Sequence, residues 1–269
     1  MKKALCFFCL IALFAVEVPP IQAQERLRMS TTTSTEDSGL LDVLLPPFEK
    51  ANKIKIEVIS VGTGKALKLG ENGDVDVVLV HSRSAEDKFV QAGYGIDRRD
   101  VMYNDYVIVG PPTDPAKVKD CKSAVEAFKR LSEGKADFVS RGDDSGTHKK
   151  EMEIWKAAGI KPEGKWYLQA GQGMGAVLQM AANKQGYTLA DRGTYISMEA
   201  KIKLPILFEG DKLLQNPYGI IAVNPAKHPK ANYQAAKKLI DYMTGPEGQK
   251  IIADFNKNGK QLFFPNATR

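Results

Sequence analysis

The sequence predicts an α/β protein of two lobes, each a mixed sheet flanked by helices, with a ligand in the cleft between them. Three observations carry this prediction. Runs at strand period alternate with runs at helical period along the whole chain, which is the pattern of α/β architectures. Two apolar runs, Tyr103–Pro112 and Asn216–Asn224, read as strands at which the chain crosses into a second lobe and back. Four strand-to-helix turns, two from each lobe, are rich in hydroxyls or glycine or carry an arginine, and in open α/β sheets ligands bind off such strand ends. The expected lobes are residues 24–110 with 216–269, and residues 111–215.

The N-terminus stands apart. Lys2 and Lys3 precede an apolar run, Ala4–Val16, that is short for a bilayer span, and Pro19-Pro20 and Ala23 follow. That order describes a cleaved signal peptide over residues 1–23, so the mature chain is expected to begin near Gln24 and to be exported. Cys6 and Cys9 leave with it, and Cys121 alone can build neither an intramolecular disulfide nor a zinc site. Stability must then come from a proper core, which the remaining length supplies. The formal net charge of +6 falls to +5 without the leader. Such mild, scattered basicity suits an anionic ligand and, with no aromatic-basic interleaving, gives no support to a nucleic-acid partner.

In the first lobe, Leu27–Thr31 reads as a strand that runs into the hydroxyl-rich turn Thr31–Gly39, and Leu40, Leu41, Leu44, Leu45 and Phe48 then recur at helical period up to Lys50. A single hydroxyl satisfies a helix cap, so the remainder need another explanation. Lys55–Ser60 is a second strand, and Gly62-Thr63-Gly64-Lys65 opens a helix. This is no nucleotide phosphate loop, because Ile59 stands where the first glycine belongs and Ala66 where the Ser or Thr belongs. A glycine turn letting backbone amides approach a small anion fits it. Asp76–His81 is a buried strand, followed by a helix over Ser84–Ala92.

In the second lobe, Ser123–Glu133 is an amphipathic helix and Ala136–Val139 a short strand leading into Ser140–Lys150. A helix begins in this stretch, capped by Asp144 or Ser145 and ending at Gly159. Its unpaired amides attract anions, Arg141 adds a permanent charge with a fork of donors, and Ser145 and Thr147 add neutral hydroxyls. Asp143 reads either as an acceptor for a protonated anion or, preferably, as the salt-bridge partner that orients Arg141. Tyr167–Gly175 repeats the theme as strand, glycine turn and helix, and Tyr187–Ser197 reads as strand, short helix and turn. Helices over Asn232–Met243 and Gly248–Phe255 close the chain.

Taken in order, Thr31-Thr-Thr-Ser-Thr, Val61-Gly-Thr-Gly-Lys-Ala-Leu, Asp74-Val-Asp-Val-Val-Leu-Val-His, Arg141-Gly-Asp-Asp-Ser-Gly-Thr-His and Thr188-Leu-Ala-Asp-Arg-Gly-Thr-Tyr give the chain a family resemblance. It resembles the periplasmic solute-binding proteins of bacterial ABC importers, in the oxyanion group, and most of all the tungstate-binding components. The arginine motif is also similar to that of the phosphate-binding relatives, whereas Thr31–Thr35 departs from their Gly/Ala-rich first loop. The resemblance implies a type II periplasmic-binding-protein-like fold, hinged closure over one dehydrated tungstate or molybdate, and a monomer that hands its ligand to a membrane permease and ATPase. It implies no cofactor and no cation site. Carried onto this sequence, it implies ligand donors at Thr32, Thr33 and Ser34, at Thr63 with its neighbouring amides, at Arg141, Ser145 and Thr147, and from backbone amides at Gly173.

Two enzyme readings are weaker. Ser145, His148 and Asp143 sketch a hydrolytic triad, but Gly142-Asp-Asp-Ser-Gly is not a nucleophile elbow. His81, His148 and His228 lack metal-ligand spacing. Tyr103, Tyr106, Trp155, Trp166 and Phe263-Phe264 fit packing better than a sugar platform.

Overall fold

The computed structural model describes residues 24–143 and 145–267; the predicted signal peptide and the candidate cap Asp144 lie outside the described residues. After β1 (Glu25–Thr32) come α1 (Thr33–Asp37), α2 (Leu40–Asn52), β2 (Ile54–Val61), α3 (Thr63–Asn72), β3 (Val77–Val80) and α4 (Arg83–Gln91). The long β4 (Gly95–Val109) leads to α5 (Ala124–Glu133), β5 (Phe138–Ser140), α6 (Gly146–Ala157), β6 (Tyr167–Gln169) and α7 (Met174–Lys184). Then follow β7 (Thr188–Asp191), α8 (Arg192–Ile202), β8 (Ile206–Phe208), β9 (Gln215–Val223), α9 (Tyr233–Thr244) and α10 (Pro246–Asp254). Short pairings of β10 (Asn256–Lys257) with β11 (Lys260–Gln261), and of β12 (Phe264–Pro265) with β4, end the described chain.

The main sheet has the order β12-β4-β9-β3-β1-β2, with β1 parallel to β2 and β3 and β9 antiparallel to β3 and β4. β4 serves two strand groups. Its first part, Gly95–Asp105, pairs with β9, and Tyr106–Val109 pairs with β7 and, at its end, β8. β5 and β6 pair in parallel, and a parallel bridge from Phe138 to Tyr187 ties them toward β7.

β4 begins eight residues before the strand expected from Tyr103, counting back to Gly95. The charged run Asp97-Arg98-Arg99-Asp100 hides it, because these residues alternate between solvent and a buried ion pair instead of showing an apolar period. Arg98 there meets the fully buried Glu86 and Asp100, each at 2.8 Å. α8 is likewise longer than the short helix expected, because the Asp191 carboxylate caps it, accepting from the Thr194 amide at 2.7 Å. In α2, Leu40, Leu41, Leu44, Leu45 and Phe48 bury one face as their spacing predicts, with Pro46 and Pro47 inside the helix.

The core divides by chemistry. Aliphatic side chains of β1, β3, β9, α2 and α9 pack around the main sheet. Around β5 and α6 the packing is aromatic, with Phe128, Phe138, Trp155 and Tyr167 in mutual ring contact at centroid distances from 4.3 to 6.2 Å. The free thiol of Cys121 is buried in this second cluster. Trp155 and Phe263 are core residues, and Tyr103 stacks on Phe264 at 5.1 Å, so these aromatics pack.

Where β4 ends, Gly110 leaves no room for a side chain: a Cβ there would stand 2.4 Å from the Tyr187 ring and 2.7 Å from Leu207. Gly110→Ala should therefore destabilise the protein by about 1–3 kcal/mol through overpacking, read as a lower urea midpoint. An unchanged midpoint would contradict this packing.

Candidate functional site

The parallel registers Thr32↔Val61 and Thr31↔Leu79 bring the carboxyl ends of β1, β2 and β3 to one edge. The hydroxyls gathered there divide their work. Ser30 donates to the Ala66 carbonyl at 3.0 Å and Thr31 to the Leu79 carbonyl at 2.8 Å, fastening α3 and β3 to β1. Thr32 Oγ1 lies 2.7 Å from Thr35 Oγ1, 3.2 Å from Ser34 Oγ and 3.2 Å from His81 Nε2. Thr33 and Ser34 are exposed. Next to them Thr63 begins α3, whose N-cap Gly62 supplies no side-chain acceptor, so the first amides of that helix have no partner within it. The space around Gly62 and Gly64 is open.

From the other strand group, β5 and β6 end side by side at Ser140↔Gln169. The pairing continues past them, with the Gly171 amide donating to the Arg141 carbonyl at 2.8 Å. Gly142 turns the chain at φ +60, where a Cβ would press within 2.9 Å of Gln169 Cβ; glycine meets both demands. Arg141 donates to Asp143 Oδ2 from Nε at 3.1 Å and from its terminal nitrogen. The Ser145 amide donates to Asp143 Oδ1 at 3.2 Å, and Ser145 Oγ caps α6 by accepting from the His148 amide at 3.3 Å. Burial works against the Asp143 charge, but the bonds from Ser145 and Arg141 outweigh it and hold the carboxyl below its ordinary range. Thr147 is buried in the first turn of α6, and Gly173 is the exposed N-cap of α7 without a side-chain cap.

His81 joins the two sides. Its Nε2 faces Thr32, its Nδ1 lies 3.2 Å from Asn216 Oδ1, and its ring packs on Tyr218 with centroids 4.6 Å apart. A Cβ at Gly146, the first residue of α6, would come 3.9 Å from His81 Cε1 and 3.7 Å from Tyr106 Oη. Thr32 and the start of α6 thus meet across one imidazole. Among the described residues, no hydrogen bond joins the side chains of Thr33 or Thr63 to another candidate donor. Behind His81, Asn216 donates to Asn104 Oδ1 at 2.8 Å, and Asn104 donates to Tyr218 Oη at 3.3 Å. Burial pushes the His81 pKa down against the Asn216 bond, and it pushes the Tyr106 and Tyr218 phenols up. Spacing rules for metal or triad passed over His81, Asn104, Asn216 and Tyr218. A signal was present, since two asparagines inside strands of apolar residues require buried partners.

Comparison with known proteins decides the family. A PBP superfamily domain model matches residues 19–247. The tungstate-binding protein TupA of Peptoclostridium acidaminophilum is 50% identical over 257 residues, covering 94% of this chain and 90% of that protein. This chain belongs to the PBP superfamily, in the family of the tungstate-binding proteins. Solved structures agree. The tungstate-binding protein TupA from Desulfovibrio alaskensis G20 superposes with a TM-score of 0.87 at 50% identity, over 91% of this chain and all of that one. The tungstate ABC transporter structure from Geobacter sulfurreducens gives 0.76 at 62% identity, over 87% of this chain and all of that one.

In this family member a buried carboxylate supports the arginine loop. Glu151 of α6 is 1% exposed and accepts from Tyr167 Oη at 2.6 Å, Ser140 Oγ at 2.7 Å and Trp155 Nε1 at 3.1 Å. It pins the end of β5, one residue before Arg141, to the helix that Ser145 caps. Burial raises the Glu151 pKa above its ordinary 4.5, opposed by the three donors. Its contribution to stability is therefore full below the unfolded value and declines as pH rises through the folded value. Glu151→Gln should remove that decline, so the variant's urea midpoint should rise relative to the parent's as pH increases above the ordinary glutamate range. Parallel pH profiles would contradict the assignment.

Proposed function

We propose that this protein captures tungstate between its two strand groups and delivers it to the permease and ATPase of an ABC importer. The observation that carries the reading is the approach of the α6 start, where Ser145 and Asp143 tie in Arg141, to the hydroxyl-rich end of β1 across His81. Tungstate is a dianion at neutral pH, and once dehydrated it accepts hydrogen bonds on four oxygens. Helix-start amides, the hydroxyls of Thr32, Thr33, Ser34, Thr63, Ser145 and Thr147, the Gly173 turn and one guanidinium replace its water. A buried charge requires that every oxygen find such a partner.

The two lobes are residues 24–110 with 216–269, and residues 111–215, and they close by bending where β4 and β9 pass between them. The protein works as an exported monomer in the periplasm, and it binds without turnover. Ser145 Oγ caps α6 and Asp143 is engaged by Arg141, contacts that favour a binding role for both over a triad. Asp143 orients the guanidinium instead of accepting a proton from a hydrogen phosphate. That favours fully ionised anions, and among these cavity size separates tungstate from the smaller sulfate.

Calorimetric titration of the anion-free protein with tungstate, molybdate, sulfate and phosphate tests this. One tungstate should bind tightly, and Arg141→Ala should weaken it about 10- to 150-fold, the equivalent of about 1.5–3 kcal/mol for a charge-assisted bond. Tight phosphate binding with tungstate ignored overturns the ligand, and failure of all four anions overturns the site.

A further inference from the structure

We infer that His81 is a positioning residue that takes up one proton when the oxyanion binds, and so turns the Thr32 hydroxyl from the imidazole to the anion. The inference rests on the reading of the site as an oxyanion socket. It follows from the polarity of a chain of hydrogen bonds. Asn216 spends its amide Nδ2 on Asn104 Oδ1, which leaves Asn216 Oδ1 facing His81 Nδ1. An amide oxygen only accepts, so Nδ1 carries the proton of the neutral ring, as this network assigns it. Nε2 of that tautomer only accepts. Its neighbour at 3.2 Å is Thr32 Oγ1; with Thr35 Oγ1, 2.7 Å from it, donating to Thr32, the one Thr32 proton is directed at the imidazole. In this state Thr32 presents lone pairs and no donor to its surroundings.

That arrangement is wrong for an anion. Oxygens of a dianion accept hydrogen bonds and repel lone pairs, so Thr32 contributes only after its hydroxyl proton is released from His81. Protonation of Nε2 does this in one step. The new N–H donates to Thr32 Oγ1, the hydroxyl rotates, and its proton, still bonded to Thr32, points at the ligand. The proton comes from solvent, and no other bond is made or broken.

Electrostatics favours the same linkage. Burial holds His81 neutral before binding, against the Asn216 bond and the Asp191 carboxylate that favour its charge. The other groups facing the ring are the Tyr218 phenol stacked on it and the Tyr106 phenol across Gly146, both kept neutral by burial. The Arg141 charge also acts on Tyr106. Two negative charges entering beside the imidazole reverse the balance and stabilise the imidazolium. By linkage, a site that gains a proton on binding loses affinity as pH rises.

The test is calorimetric titration with tungstate in two buffers of equal pH and different ionisation enthalpy, since the difference in apparent enthalpy counts protons. Above the ordinary histidine range the parent protein should take up a proton fraction, at most one, per tungstate, and its affinity should fall by up to about tenfold per pH unit. Tungstate itself does not titrate there. His81→Gln supplies a permanent amide donor to Thr32, so the variant should still bind tungstate, with no proton uptake and no pH dependence over this range. Equal enthalpies in both buffers for the parent overturn the proposal, as does uptake that persists in His81→Gln. Absence of any tungstate binding by the parent overturns the socket reading and the proposal with it, whereas tight binding without uptake overturns the proposal alone.

Discussion

The antiparallel pairing of β4 with β9 is the constraint on which the remaining architecture depends. Its register sets Asn104 opposite Asn216 and Met102 opposite Tyr218, and so builds the polar chain that ends on His81. β9 also pairs with β3, placing Gly219 opposite Val80, one residue before His81. A slip of one residue in β9 would turn Asn216 to the other face of the sheet and leave the imidazole without its partner. The same β4 runs on to receive β7 and β8, so one backbone ladder carries both the main sheet and the strands that position Asp191 and α8.

Charge near the crossing is arranged in two contrasting ways. Arg192 donates to both carboxylate oxygens of Asp105 at 2.6 Å and also meets Glu209, so its charge is saturated and its pKa is raised. Arg141 has Asp143 alone as its acid partner among the described residues. The Arg192 guanidinium is a structural rivet between three elements, whereas the Arg141 guanidinium is held within its own loop. The neutral donors around it need no counter-ions of their own, because helix-start amides are left open by the geometry of the helix itself.

Much of this was legible in the sequence. Helical spacing located α2, α3, α5, α6, α7 and α9, and the strand-to-helix turns marked both sides of the site, because those signals depend on neighbouring residues. Ser145 was visible as a cap for the same reason, and the Arg141–Asp143 pair needs only two residues of separation. What stayed hidden depends on pairing across the sheet. The start of β4 was obscured by charges whose partners, Glu86 and Asp100, include a residue of the preceding helix. His81 shows no partner within its own stretch, since Asn216 lies 135 residues away and Thr32 lies 49 away. Glu151 passes for an ordinary acid early in a helix until Ser140, Trp155 and Tyr167 are seen around it.

The engagement of Asp143 has a consequence for traffic through the site. Its carboxylate holds the Arg141 guanidinium and the Ser145 amide, donors of the kind a bound oxyanion recruits. On the proposed reading an oxyanion meets an arginine whose direction Asp143 already fixes, so that contact is not assembled anew at each binding event. Less rotamer freedom is then lost at that contact, which leaves more of its energy in the net affinity.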